Sequence, residues 1–232
     1  MHGLHGLVVA GLAVAAYITL VYGGVLAARA KPAERATLAA LFLLGMPLCA
    51  GAFYFVRAPL DALVRAALGA GHPLYPWVAI TYAPLTEEPA KLLPLLLVAR
   101  GAAVDPSRAA WAVGAGFGAG EAVFIALLVA GGAPDLPWYA YGAFMAERFQ
   151  VALLHGMITR AAWLAVTSRG RTAPAALAPA MGLHLALNLP ILLAALGWFG
   201  DDRAAVMRGL MLWVTVWWGA AWSRFTLRPP AP

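Results

Sequence analysis

Residues 74–99 read LYPWVAITYAPLTEEPAKLLPLLLVA, an apolar run with Glu87 and Glu88 side by side near its middle. About 20 apolar residues suffice for a helix to cross a bilayer, so the run is predicted to be a membrane span. An ionised carboxylate at the bilayer centre costs about 2.5–3.5 kcal/mol even on lenient insertion scales, and intramembrane carboxylates are therefore read first as functional. Glu121 and Glu147 recur within later apolar stretches.

Working outward, the whole chain is 63% apolar and 11% charged, which excludes an ordinary soluble domain. Seven spans are expected, at about 4–28, 37–56, 74–99, 109–132, 139–167, 174–197 and 204–223. The fold class is accordingly all-α: a polytopic transmembrane helix bundle forming one integral membrane domain over residues 1–232, with a catalytic core at about 74–197. Lys and Arg favour cytoplasmic loops. With the N-terminus outside, the inner loops hold Arg29, Lys31, Arg35, Arg100, Arg108, Arg169, Arg171, Arg224 and Arg228, and the outer loops hold only Arg57, Arg65 and Arg203. An outside N-terminus and a cytoplasmic C-terminus are predicted. The net charge of +6 is then a topology signal and gives no reason to expect nucleic acid.

The first span is too long for a secretion signal and no basic residue precedes it, so it is read as a retained helix. Cys49, the single cysteine, lies in an apolar span and is read as a core residue; no intramolecular disulfide or cysteine-based metal cluster is expected. The glycines of Gly114-Ala-Gly116-Phe117-Gly118-Ala-Gly120-Glu121 predict a smooth helix face for a neighbour, with Glu121 at the contact.

Depth decides which polar residues can meet. At 1.5 Å per residue, Glu87 lies about 13 residues into its span and Glu121 and His155 about 12 into theirs. His184 and Asn188 lie about 10 and 14 in. Four helices thus deliver carboxylates, imidazoles and an amide to one layer. Residues three, four or seven apart share a helix face, which groups Glu87 with Lys91, His184 with Asn188, and Arg148 with His155. Lys91 is expected to partner one carboxylate of the Glu87–Glu88 pair. Each group has a structural reading beside the functional one: packed histidines, a structural lysine, and an interfacial Glu147–Arg148 ion pair. Buried polar groups must satisfy one another, but two adjacent carboxylates resist being ionised together, and such pairs suit acid–base chemistry.

Absences narrow the chemistry. There is no His-Glu-x-x-His, no serine away from span ends (Ser107, Ser168 and Ser223 only), and no aspartate inside a span. A carboxylate with histidines and an amide remains, a set that can activate water and stabilise an oxyanion, the two needs of peptide hydrolysis.

The ordered set Glu87-Glu88-x-x-Lys91, Phe117-x-x-x-Glu121, Glu147-Arg148 with His155, and His184-x-x-x-Asn188 resembles the PrsW and YhfC branches of the glutamic intramembrane proteases. These are related to the type II CAAX prenyl endopeptidases and bacteriocin-processing proteins. The resemblance covers about 115 residues. It implies an intramembrane endopeptidase in which Glu87 is the general base, His184 assists it, Asn188 binds the oxyanion and Glu88 supports the site. Two departures stand out against the CAAX type: the partner Glu88–Lys91 replaces a more distant arginine, and Glu121 stands where that branch has histidine. His155 is read as supplying that imidazole, and Glu121 as a second acid or a metal ligand.

The resemblance favours a metal-free mechanism, so no cofactor is expected and activity is expected to survive chelation. The alternative is a Zn²⁺-dependent version of the same protease held by Glu87, Glu121, His155 and His184. Two further readings are a proton-coupled transporter, for which Pro84, Pro89 and Pro94 would break the third span, and a catalytically silent scaffold. The expected partners are the lipid bilayer and a membrane-protein or lipidated-peptide substrate. The expected location is a bacterial plasma membrane.

Overall fold

The computed structural model describes residues 4–99, 104–167, 173–200, 206, 209–210 and 212–217, and all regular structure among them is helical. Helix α1 spans Gly6–Arg29, where the His5 ring accepts from the Leu7 amide. Helix α2, Pro32–Gly45, starts on a proline that needs no amide partner. It is followed by α3 (Leu48–Ala52), a π-helical turn over Phe53–Arg57, and α4 (Ala58–Leu68). Next come α5 (Tyr75–Ala79), α6 (Tyr82–Pro94) and a second π turn over Leu95–Ala99. Helix α7, Pro106–Ala130, is capped by the Asp105 carboxylate on the Arg108 amide. A 3₁₀ turn at Trp138–Tyr141 leads into α8 (Gly142–Thr167), and α9 covers Ala173–Ala195.

Among the described residues, five helical stretches are long and apolar enough to cross a membrane: Gly6–Leu26, Pro32–Leu68, Pro106–Ala130, Trp138–Thr167 and Ala175–Ala194. Large apolar side chains such as Leu20, Phe55, Leu97 and Leu127 point outward, as expected for an integral membrane protein with lipid as its solvent. Residues 206, 209–210 and 212–217 of the expected seventh span are helical, and the rest of 204–223 lies outside the described residues.

Two expected spans look different. The stretch 74–99 is a broken helix and is not among the five. Pro84 lacks an amide and its ring collides with the carbonyl four residues back, so the chain turns at Ile80–Thr81 between α5 and α6. Pro94 sits at the join to the second π turn. The span expected at 37–56 instead belongs to a helical stretch of 37 residues, bent at Met46–Pro47 and widened into the π turn just before Pro59. Arg57, Asp61 and Arg65 are therefore helical, where the sequence reading places them in a loop.

Helix α7 is the centre of the bundle, with α1, α2 and α8 packed round it. The alternating glycines explain how. Successive glycines two residues apart point to opposite sides of a helix, and those four apart share a side. Gly114 and Gly118 lie against the α8 backbone, where an added Cβ would come within 2.4 Å of the His155 carbonyl oxygen and 2.3 Å of the Ala152 Cα. Gly116 and Gly120 lie against α2 and the turn after it, 2.0 Å from the Phe42 carbonyl oxygen and 1.9 Å from that of Met46 on the same construction. The expected single smooth face is thus two faces for two neighbours. Lipid tails are as apolar as leucine, so close backbone approach of this kind is the main source of helix association in a membrane.

Polar contacts mark the two ends. At one, the Gly6 amide donates to Asp135 Oδ1 at 3.0 Å, joining the start of α1 to the segment between α7 and α8. At the other, Arg108 Nη1 donates to Glu34 Oε2 at 2.8 Å and joins the starts of α2 and α7.

Candidate functional site

The cluster is built from α6 outward. The prolines in and around α6 leave a short helix on which Glu87, Glu88 and Lys91 are all buried, Lys91 completely. Glu88 and Lys91 are three apart and meet: Lys91 Nζ donates to Glu88 Oε1 at 2.6 Å. The lysine therefore partners Glu88, as the resemblance implies, although it also shares a helix face with Glu87. Its Nζ also lies 3.0 Å from His155 Nδ1 on α8 and 4.8 Å from the centre of the Phe117 ring on α7. A cation over an aromatic face is favourable, more so when desolvated.

From His155 the contacts run to α7, where Glu121 Oε2 is 2.9 Å from His155 Nε2. Glu121 Oε1 is 3.5 Å from Arg148 Nη1, and Arg148 donates both a guanidinium Nε–H and an Nη2–H to Glu147. From Glu88 they run to α9: His184 Nδ1 is 2.7 Å from the same Glu88 Oε1 that Lys91 holds. The other His184 nitrogen faces Glu87 Oε2 at 3.8 Å. The two imidazoles stand edge to face with centres 5.3 Å apart. One connected set therefore brings together Glu87, Glu88, Lys91, Glu121, Glu147, Arg148, His155 and His184.

Asn188 lines a cavity of about 240 Å³ together with Glu121, Glu147, Arg148, His155 and His184, against apolar walls that include Val151, Leu187 and Val214. Glu87 stands outside this wall, behind His184. Its Oε2, like Glu88 Oε2, is buried with no hydrogen-bond partner.

The sequence reading missed two neighbours of Glu87. Arg57 Nη1 is 4.0 Å from Glu87 Oε1, because the π turn carries the side chain inward from a position read as loop charge. Cys49, read as plain core, has its sulfur within 4.8 Å of carboxylate oxygens of both Glu87 and Glu121. Arg57 had a sequence signal, a lone basic residue closing an apolar run; Cys49 had none.

With neutral histidines the charges do not balance. Glu87, Glu88, Glu121 and Glu147 face Lys91, Arg57 and Arg148, four anions against three cations. The excess must be met by a proton or by something that enters. Glu87 is the least engaged carboxylate, its Oε2 being without a hydrogen-bond partner.

Metal binding has partial support in the donor set. Glu87, His155 and His184 offer ligand atoms within 4.8 Å of one another, and Zn²⁺ accepts such oxygen and nitrogen donors. Both His155 nitrogens, however, are already engaged by Lys91 and Glu121. An ion there would displace one contact and sit beside a lysine side chain.

Comparisons with protein-family models, with curated proteins and with solved structures gave no match. The functional reading rests on the cluster itself.

Proposed function

We propose that the protein is an intramembrane endopeptidase that hydrolyses a peptide bond of a membrane-embedded or lipid-anchored substrate with water activated by Glu87. The observation that carries this reading is the gap of 3.8 Å between Glu87 Oε2, which has no partner, and the outward His184 nitrogen. That gap is too long for a direct hydrogen bond, and a water admitted beside it would touch both groups. Glu87 takes the proton as the water attacks, and Glu88 fixes the His184 ring from behind. Asn188, one turn on from His184 and on the cavity wall, is the side-chain donor that the resemblance implies for the developing oxyanion. Glu88 is unsuited to the base role because its Oε1 is held by both Lys91 and His184.

The reading keeps the resemblance to the PrsW and YhfC branches as its family proposal, with seven spans, an outside N-terminus and a bacterial plasma membrane as the setting. The chemistry proposed is metal-free, supported by the occupied nitrogens of His155. The alternative in which Zn²⁺ polarises the water is supported by the Glu87–His155–His184 grouping. Both are tested by incubating the purified protein in detergent with a library of model transmembrane peptides, with and without chelator, and sequencing the products. Cleavage that persists with chelator is expected. Loss of cleavage restored by Zn²⁺ favours the metal-dependent form, and no cleavage by folded protein moves the weight to a transporter or a silent scaffold.

A further inference from the structure

Lys91 has no counterpart elsewhere in the cluster: a fully buried amine that touches a carboxylate and an imidazole at once. An ammonium has three donors and no lone pair. The group 3.0 Å away, His155 Nδ1, must then accept, which leaves the ring proton of a neutral imidazole on Nε2, where it donates to Glu121 Oε2 at 2.9 Å. On its other side Lys91 holds Glu88 Oε1 as an ionised acceptor. That oxygen can receive from His184 only through Nδ1–H, at 2.7 Å. The lone pair of His184 then falls on Nε2, the nitrogen facing Glu87.

We infer that Lys91 is a positioning residue that sets the tautomers of both buried histidines in opposite senses, Nε2–H on His155 and Nδ1–H on His184. Which nitrogen of a histidine carries the proton is fixed by the bond its other nitrogen makes, and here one amine fixes two rings on two helices. The chain of donors runs outward from Lys91 in both directions, to Glu121 through His155 and to Glu88, on which His184 also converges. The consequence is that, of these two rings, the nitrogen left with a free lone pair is the one beside Glu87.

The inference concerns proton placement and holds or fails independently of whether the protein is a protease. It is tested by ¹⁵N nuclear magnetic resonance of protein labelled at histidine, with His155→Gln and His184→Gln used to assign the two rings. Wild-type protein is expected to show a bonded proton at Nε2 of His155 and at Nδ1 of His184. A proton on Nδ1 of His155, or on Nε2 alone of His184, overturns the inference without any Lys91 variant. In Lys91→Met the His155 signals are expected to shift to a mixture of tautomers or to the doubly protonated ring, and Lys91→Arg is expected to restore the single tautomer. Both rings unchanged in a folded Lys91→Met protein would show that Lys91 only fills space.

Discussion

Helices α6 and α7 bring carboxylates to the same buried cluster and are built in opposite ways. Helix α7 runs unbroken for 25 residues, and its interior is made of glycine, alanine and valine, with Phe117, pressed against three neighbours. Helix α6 has 13 residues with prolines at 84, 89 and 94, and it buries three adjacent charged side chains. The contrast teaches a division of labour. Close backbone approach holds the bundle together, and the segment proposed to carry the chemistry is a short insert whose charged groups meet side chains presented by α7, α8 and α9.

The comparison breaks first if α7 is not the clamp. Replacing Gly116 by leucine drives a side chain into the Phe42 backbone, which cannot yield as a side-chain tip could. We expect a loss above about 3 kcal/mol and little monodisperse protein on size-exclusion chromatography. A variant with the wild-type melting temperature would show that the contact is loose.

The opposite behaviour is expected on α6. Glu87→Gln keeps shape and burial, so melting should move by no more than about 2 °C, while peptide cleavage falls by about 10²–10⁴-fold, the usual worth of a positioned general base. Equal cleavage by the variant would make α6 a structural helix like α7. A smaller change sharpens the role of the π turn: Arg57→Gln removes a partly exposed cation 4.0 Å from Glu87, and about a fivefold loss of rate is expected, the worth of about 1 kcal/mol. The smallest effect is expected where α7 carries its peripheral pair with Glu34. Arg108→Gln should cost about 0.5 kcal/mol, roughly 1–2 °C in melting, with cleavage untouched.

Much of this was legible beforehand, for reasons that differ between the two helices. The meeting of Glu121, His155, His184 and Asn188 follows from depth along unbroken helices, which is simple arithmetic once the spans are placed, and Glu87 joins them from a broken one. The pairing of Lys91 with Glu88 was legible only through the resemblance, since positions three and four apart are equivalent until the helix is rotated against its neighbours. The two-sided glycine packing was in the spacing itself, because residues two apart point opposite ways, but the reading assigned it one face. The inward turn of Arg57 depended on a π turn ahead of Pro59, a backbone adjustment that hydropathy does not register. The break at Ile80–Thr81 follows from Pro84, yet hydropathy sees only a continuous apolar run.

The central claim is that Glu87 and His184 act on one shared water. The most direct measurement is the cleavage rate of a model transmembrane peptide by wild type, Glu87→Gln, His184→Gln and the double variant, all verified as folded. Groups that act as a unit are grossly non-additive, so each single variant is predicted to lose most of the activity and the double variant to lose almost nothing more. Losses that multiply in the double variant, or cleavage retained by Glu87→Gln, would contradict the account.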